Sequence, residues 1–593
     1  MNNIITTRIE HLRKLMVENG LDAYLINGTD PHISEYVPER WKTRTYISGF
    51  TGSFGYMAIT ANKALLWTDS RYYLQAAQQL EGTGIEMMKA RDPESISLEQ
   101  WLATNLQKNT MVGFNGSCHV AAEIKSLNKT LNSKGIKING QLNLLESIWN
   151  NRPQFPNNKA FLHPIKWAGT SRSEKLKALF NEMDKVSAEV MVISALDDIA
   201  WTFNIRGADV ESNPVVMAYA LLEKNNIQLF TDLSKFDSEA IEELQTDGVI
   251  LIDYHQFYQE LELLKEKSIL IDTHCTNYRI YELLNTKNKL IDGLSVPTLL
   301  KSVKNSSEIS GMQKAHIIDG LALLDLMLWF ENSLGKEPIS EFDVAKKLSE
   351  CRAKKVGYIG NSFFPIVAYR DHGAIVHFKV NAETAYQLQP EGILLIDSGG
   401  QYEYGTTDIT RTIALGPVSS KMKSDFTLVL KGMIALSSIK FPKGIAGCHL
   451  DVLARAALWN ENLNYGHGTG HGVGAFLNVH EGPQSIRLDF NNQPLCPGNI
   501  LSNEPGIYRT GEYGIRIENL IHCVEDSTNE FGTFYRFETL TCFPIDTRLI
   551  EKSLLNQQEI EWINNYHKIV LTALSPFTSS DEFKLLKRLC EEI

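Results

Sequence analysis

The segment Ile393-Leu394-Leu395-Ile396-Asp397-Ser398-Gly399-Gly400 limits what this chain can fold into more than any other stretch. Four consecutive apolar residues read as a buried strand, and that strand ends on a carboxylate. After a glycine turn, Asp408 opens a second strand, Ile409-Thr410-Arg411. Burying an unpaired carboxylate is costly, and a second one close by adds repulsion. Taken alone, the pair has a simple reading in which Asp408 pairs with Arg411 and Asp397 caps a turn. Further acids and imidazoles downstream argue against it.

Gly466-His467-Gly468-Thr469-Gly470-His471-Gly472-Val473-Gly474 is followed by His480, and Ile500-Leu501-Ser502-Asn503-Glu504 ends another apolar strand on an acid. Gly514-Ile515-Arg516-Ile517-Glu518-Asn519 predicts Glu518 inside a strand, on the same face as Arg516. Each feature by itself is ordinary: a strand-ending acid is usually solvated, and a Gly-His-Gly loop is often only a tight turn. Together they place four carboxylates beside apolar strand residues with few bases to offset them. Two divalent cations balance four such charges, leaving one neutral histidine as a fifth ligand. An oxygen-rich set with a single imidazole suits a hard or borderline ion and favours manganese over a thiolate-rich zinc site. Two ions roughly 3.5–4 Å apart share a bridging water and make it hydroxide at neutral pH. The glycines let backbone and substrate approach His467 and His471 closely.

The remainder of the chain must supply a scaffold. At 593 residues it is too long for one core. In residues 1–153, a helix over Arg8–Asn19 precedes the strands Ala23–Ile26, Tyr56–Thr60 and Ala64–Thr68, and Asp69–Tyr73 leads into a helix. In residues 154–298 the order recurs: a helix over Ser173–Met183, a strand Val190–Ile193, a short helix at Asp197–Trp201, then strands Val215–Leu222 and Ile227–Phe230. Thr231-Asp232 ends the second hairpin as Thr68-Asp69 ends the first. The pattern predicts two similar α/β domains, and neither gathers enough chemistry for its own site. Residues 299–593 open on two helices, one after Ser307 and Ser310 and one capped by Ser340 with Asp343, and then turn to strands. The tail, Leu549–Leu555 and Ile560–Leu574, reads as peripheral helices.

Composition excludes several functions. The net charge of −12 argues against nucleic acid or an anionic membrane surface as partner. No apolar run is long enough to span a bilayer, and the N-terminus lacks the charged-then-apolar pattern of a secretory signal. Eight scattered cysteines without Cys-x-x-Cys spacing fit free thiols in a reducing compartment. A cytoplasmic protein is expected.

The ordered set Asp, Asp, His, Glu, Glu, with Gly-His-Gly-Thr-Gly-His-Gly, resembles the catalytic domain of the M24 pita-bread metallopeptidases. Within them the likeness is to the three-domain, cytosolic aminopeptidases P. It extends over essentially the whole chain, through Ile47–Ser53, Leu66–Gln79, Gly373–His377, Leu395–Thr412, Gly466–Pro483 and Leu501–Glu518. Ser398-Gly399-Gly400 departs from many relatives, which carry Ala for one Gly, without removing a ligand. The resemblance implies an α/β plus α+β architecture, with two creatinase-like domains ahead of a pita-bread domain. It implies that Asp397, Asp408, His471, Glu504 and Glu518 hold two divalent ions, Mn2+ first with Zn2+ or Co2+ as alternatives, the two outer acids bridging. Glu504 is then the general base and Asp397 an anchor for the substrate's amino group. His480 stabilises the oxyanion, and His377 and His467 line the site and orient the scissile carbonyl. Arg516 partners Asp397, Tyr508 supplies a supporting hydroxyl, and Arg71 either forms a local salt bridge or reaches a substrate site across a homodimer. The implied substrates are peptides with proline second. The alternatives are a prolidase restricted to dipeptides and a non-catalytic module of the same fold, which typically loses ligands that are all present here.

Overall fold

The computed structural model describes residues 2–92 and 94–593. The chain divides into two compact units, Met1–His163 with Thr170–Thr298, and Pro164–Gly169 with Leu299–Ile593.

The first unit holds two six-stranded sheets. Strands β1 (Ala23–Ile26), β2 (Tyr56–Thr60), β3 (Ala64–Thr68), β4 (Glu86–Lys89), β5 (Met111–Phe114) and β6 (Lys137–Asn139) lie in the order β4-β3-β2-β1-β5-β6. Strands β7 (Val190–Ile193), β8 (Ala218–Glu223), β9 (Asn226–Thr231), β10 (Val249–Asp253), β11 (Ser268–Ile271) and β12 (Lys289–Asp292) repeat it as β10-β9-β8-β7-β11-β12. In each sheet the second strand pairs antiparallel with both neighbours and the outer pairs are parallel. The apolar runs explain this: β1, β3 and β7 are buried at every position, as central strands covered on both faces must be. Helices α1 (Asn2–Glu18) and α2 (Arg172–Lys185) flank the sheets. Helix α1 buries Ile5, Ile9, Leu12 and Met16 at helical spacing, and Ser171 caps α2 in a capping box with Glu174.

Sheets of this kind offer a ligand crevice beyond the carboxyl ends of their parallel strands. Here those ends face each other. Ala121 N and Ala122 N, past β5, donate to Thr276 O and Thr273 O, past β11, each at 2.9 Å, and Tyr278 N returns a bond to His119 O at 2.8 Å. Asn277 Nδ2 donates to Pro31 O at 2.7 Å. His32 Nδ1 lies 2.8 Å from Ser194 O and Nε2 2.9 Å from the Tyr254 hydroxyl, so Nδ1–H donates to the carbonyl and the neutral ring accepts from tyrosine. Burial lowers the His32 pKa to about 3. With the folded value below the unfolded one near 6.5, this contribution is complete above pH 6.5 and lost as pH falls. A His32→Gln chain should therefore be less stable than the parent at pH 8. The gap should close by about 1.4 kcal/mol per pH unit below 6.5. Denaturant melts at pH 8 and pH 5 measure it, and a gap independent of pH would refute the buried neutral imidazole.

The second unit is built on helices α3 (Ser306–Ser333) and α4 (Glu341–Ala353), the strands β13 (Ile366–Tyr369), β14 (Ile393–Ser398) and β15 (Ile409–Ala414), and a larger sheet. The larger sheet takes β16 (Lys440–Pro442), β17 (Gly470–Gly472), β18 (Glu481–Ile486), β19 (Ile500–Asn503), β22 (Asn519–Asn529) and β23 (Gly532–Thr539) in the order β16-β23-β22-β19-β17-β18. A hairpin of β20 (Gly506–Arg509) and β21 (Tyr513–Arg516) lies between β19 and β22 in the chain. Helices α5 (Ser420–Ser438), α6 (Asp451–Trp459) and α7 (Gln557–Leu574) pack in the same unit. Among the described residues no helix is long and apolar enough to cross a membrane.

Three expectations need correction. Helix α3 does not begin after Ser307 and Ser310 but includes both, starting at Ser306 with Asn305 as its cap in a capping box with Glu308, whereas the Ser340–Asp343 box on α4 is present. The tail is not peripheral: Ile563, Tyr566, Val570 and Leu574 of α7 belong to the main core of the unit. Leu549–Leu555 forms two short 3-10 turns rather than a helix. The sequence hides the role of α7 because its partners, such as Arg411, lie far away in the chain.

Candidate metal centre

Each acid of the cluster sits where a strand begins or ends. Asp397 is the penultimate residue of β14 and faces Thr410 in the β14–β15 register. Asp408 immediately precedes β15, Glu504 follows β19, and His471 is the middle of β17. Glu518 is not within a strand as its alternating neighbours predict. It occupies the break between β21 and β22, which frees the backbone to turn its carboxylate inward. Thr410 ties that break down: its O accepts from Glu518 N at 3.1 Å and its Oγ1 donates to Glu518 Oε2 at 2.8 Å.

The simple salt bridge between Asp408 and Arg411 does not form. The Arg411 guanidinium donates to the carbonyls of Phe543, Pro544 and Glu518, to Asn519 Oδ1 and to the Tyr566 hydroxyl, so it braces the core instead of neutralising the cluster. Arg516 is the cation that reaches the acids, with Nη2 2.5 Å from Asp397 Oδ2. Its Nη1 donates to the Tyr508 hydroxyl at 2.7 Å.

Asp408, His471 and Glu518 present ligand atoms all within 4.8 Å of one another. His471 Nε2 stands 3.5 Å from both Asp408 Oδ2 and Glu504 Oε1. Its Nδ1 is 2.9 Å from Gly472 O, so Nδ1–H donates to that carbonyl and Nε2 faces the acids, the ring orientation a metal-bound imidazole needs once Nε2 gives up its proton. Asp397 Oδ1 and Glu518 Oε1 are buried and lack a hydrogen-bond partner. Such orphaned carboxylate oxygens are costly unless something cationic meets them. The electrostatics agree. Burial, reinforced by Asp408, Glu504 and Asp397, drives the Glu518 pKa well up. Burial likewise raises Asp397 despite Arg516, and raises Glu504 to about 7. At His471, burial opposes the charge, but contacts with Asp408 and Glu504 push its pKa up to about 9. The cluster takes up protons because it is short of positive charge, and divalent cations fit it.

The flanking residues assemble around this core. The His480 ring meets the His471 ring edge-on, with centroids 4.4 Å apart, and His480 immediately precedes β18. His467 Nδ1 lies 2.7 Å from Gly468 O and Nε2 2.8 Å from the Tyr508 hydroxyl. Tyr508 therefore donates to His467 and accepts from Arg516. A substrate carbonyl would have to exchange with Tyr508 to reach that imidazole. His377 follows the turn Arg370–Ala374, and the carbonyl of Val376 accepts from Arg516 Nη2 at 3.4 Å. Arg71 belongs to the first unit, where its guanidinium grips Asp69 with Nε at 2.9 Å and Nη2 at 2.8 Å.

Several supports escape a reading of the sequence. Ser502 Oγ accepts from His471 N at 3.0 Å and donates to Glu504 Oε1 at 3.3 Å. Arg352, fully buried, clasps Asp319 at 2.7 and 3.0 Å and donates to Gly399 O and Ser398 Oγ, fixing the turn after Asp397. Gly399 is required by close packing there: a Cβ would stand 2.0 Å from Thr407 O. A Cβ at Gly470 would likewise meet Ser502 O at 2.0 Å, which is why a glycine precedes His471. Thr410 alone had a legible signal, since it alternates with Ile409 and Arg411 opposite Asp397.

Comparison with known proteins agrees with this geometry. Residues 310–525 match the metallopeptidase family M24 and 533–593 the C-terminal region of peptidase M24. Residues 8–147 and 151–308 each match a creatinase/prolidase N-terminal domain. Aminopeptidase P2 of Arabidopsis thaliana is 38% identical over 97% of this chain and 86% of its own. A probable Xaa-Pro aminopeptidase P of Aspergillus fumigatus is 38% identical over 98% and 91%. The crystal structure of X-prolyl aminopeptidase from Caenorhabditis elegans, described as a cytosolic enzyme with a di-nuclear active site, superposes with a TM-score of 0.95. It shares 32% identity, over 99% of this chain and 100% of that one.

Proposed function

The chain belongs to metallopeptidase family M24, and from that premise we propose that it is an Xaa-Pro aminopeptidase, releasing the N-terminal residue from peptides whose second residue is proline. The observation that carries the reading is the cluster of four carboxylates and one imidazole, in which Asp397, Asp408 and Glu518 are buried, Glu504 and His471 are partly exposed, and two carboxylate oxygens lack any partner. Asp397, Asp408, His471, Glu504 and Glu518 would hold two divalent cations, with Mn2+ favoured by the oxygen-rich set. When bound, the cations supply the Lewis acidity that makes water nucleophilic at neutral pH and polarises the scissile carbonyl.

The chain's own residues do the rest. Glu504, at the end of β19 beside His471 and Asp408, accepts the proton of the attacking water. Asp397 is held by Arg516 through Oδ2, which leaves Oδ1 for a cation, and its carboxylate would also help to anchor the substrate's ammonium group. His480 donates to the oxyanion as the carbonyl becomes tetrahedral, while His377 and His467 line the site. Proline's tertiary amide has no N–H and a fixed φ, so a ring-shaped pocket selects it. The likeness to a cytosolic enzyme supports a cytoplasmic location. A homodimer, in which Arg71, already oriented by Asp69, reaches the other subunit's substrate, is part of the same proposal.

A peptide series tests the reading. Xaa-Pro-Xaa and longer peptides should lose their N-terminal residue, and replacing the proline by alanine should slow the reaction about 100-fold, the scale on which a pocket rejects a poor fit. Cleavage confined to dipeptides would replace this reading with a prolidase.

A further inference from the structure

One buried ion pair lies outside the acid cluster and has no part in the chemistry above. Asp451 and Arg455 stand four residues apart on α6, a spacing that usually makes a solvated surface pair worth a few tenths of a kcal/mol. Here they are 0% and 1% exposed. All five N–H donors of Arg455 are used. Nε and Nη2 go to the Asp451 carboxylate at 2.5 and 3.4 Å, Nη1 to Tyr465 O at 2.7 Å and Asn464 Oδ1 at 3.3 Å, and Nη2 to His467 O at 2.8 Å. The guanidinium also lies 3.8 Å above the Tyr465 ring.

The carboxylate works on the same turn. Thr469 Oγ1, fully buried, donates to Asp451 Oδ1 at 2.6 Å, so the Tyr465 hydroxyl, 2.5 Å away, donates to Thr469. Thr469 O accepts from Glu504 N at 2.8 Å. Arg455 thus holds the backbone that carries His467, while Asp451, through Thr469, holds the backbone that carries Glu504. A buried ion pair seldom improves on apolar packing for stability, so the value of this one lies in the geometry it imposes.

We propose that Asp451 and Arg455 are positioning residues, which set the register of the 464–469 turn against β19 and so fix His467 and Glu504 for the metal centre. The inference rests on the proposed function. A misplacement of about 1 Å at such a distance from the chemistry costs on the order of 100-fold in rate.

Because a single substitution strands a buried charge, the test uses the double variant Asp451→Leu with Arg455→Met, beside the conservative Arg455→Lys. The double variant should fold, with a melting temperature near the parent's. It should show kcat on a Xaa-Pro tripeptide about 100-fold lower with KM little changed, and bind Mn2+ to the chelated chain about tenfold more weakly by calorimetry. Arg455→Lys, which keeps the charge but cannot serve two carbonyls and a carboxylate together, should fall between. A folded double variant with parental kcat and parental Mn2+ affinity overturns the proposal. Should the parent itself bind no Mn2+, the metal reading fails, and the imidazole 15N shifts of His467 in the metal-free chain decide this one. A changed pattern in the double variant supports it and an unchanged pattern refutes it.

Discussion

A Glu504→Gln enzyme is expected to cleave Xaa-Pro peptides about 1,000-fold more slowly than the parent, within the range lost when a positioned general base is removed. The substitution keeps the shape and one carbonyl oxygen, so Ser502 Oγ retains an acceptor 3.3 Å away and Glu504's backbone bond to Thr469 is untouched. What disappears is the carboxylate that takes the proton of the attacking water, which an amide cannot accept. The metal-free variant should melt at the parent's temperature or above it, because one of the mutually repelling carboxylates is gone. KM should change little, since the amide removes an interaction made chiefly in the transition state. Steady-state kinetics, with elemental analysis of the purified variant, measure the effect. A kcat within tenfold of the parent, with parental metal content, would assign the base elsewhere.

Chelation should abolish turnover altogether, and Mn2+ should restore it. Two oxygens that the protein leaves without partners, Asp397 Oδ1 and Glu518 Oε1, call for cations, and the metal-free cluster holds protons in their place. His471, with its pKa near 9, and Glu504, near 7, are both wholly or partly protonated at pH 7, so entering cations displace protons. Mn2+ affinity should accordingly weaken as pH falls from 9 to 6, and calorimetry in buffers of different ionisation enthalpy should detect the released protons. Cations that bind only the folded chain also stabilise it, by about 2.7 kcal/mol at a hundredfold excess over Kd. The chelated chain should therefore melt at a lower temperature and recover with added Mn2+. Activity indifferent to chelation would end the metal mechanism.

The outcome of sequence reading follows the physics of each element. Strands β1, β2, β3 and β7 coincide residue for residue with their expected limits, because short apolar runs between turn-forming residues have one reasonable solution. The likeness of the two α/β domains was legible from the helix–strand–hairpin rhythm and its two Thr-Asp endings. The break at Glu518 was not, since Ile515, Arg516, Ile517 and Glu518 alternate as a strand would. What interrupts the strand is Thr410, more than 100 residues earlier. The acids and His471 could be named because their neighbours, apolar strands and glycines, are local. The pairs Asp319–Arg352 and Asp451–Arg455 could not, because an acid and a base on helices look the same buried or solvated. Only burial separates a brace from a surface pair, and burial is decided by the whole fold.

The face-to-face arrangement of the two α/β sheets has a consequence for the history and handling of this protein. Loops that in a solitary sheet of this kind would be shaped to admit a small molecule are instead filled by the matching loops of the other copy, through Pro31, His32 and Ala121 on one side and Thr273, Thr276 and Tyr278 on the other. Each copy is in effect the other's permanent ligand. Deleting residues 1–150 would uncover a vacated recognition surface with stranded carbonyls and amides rather than trim a spare module. A shortened relative would need to have redesigned that surface before it could lose its twin.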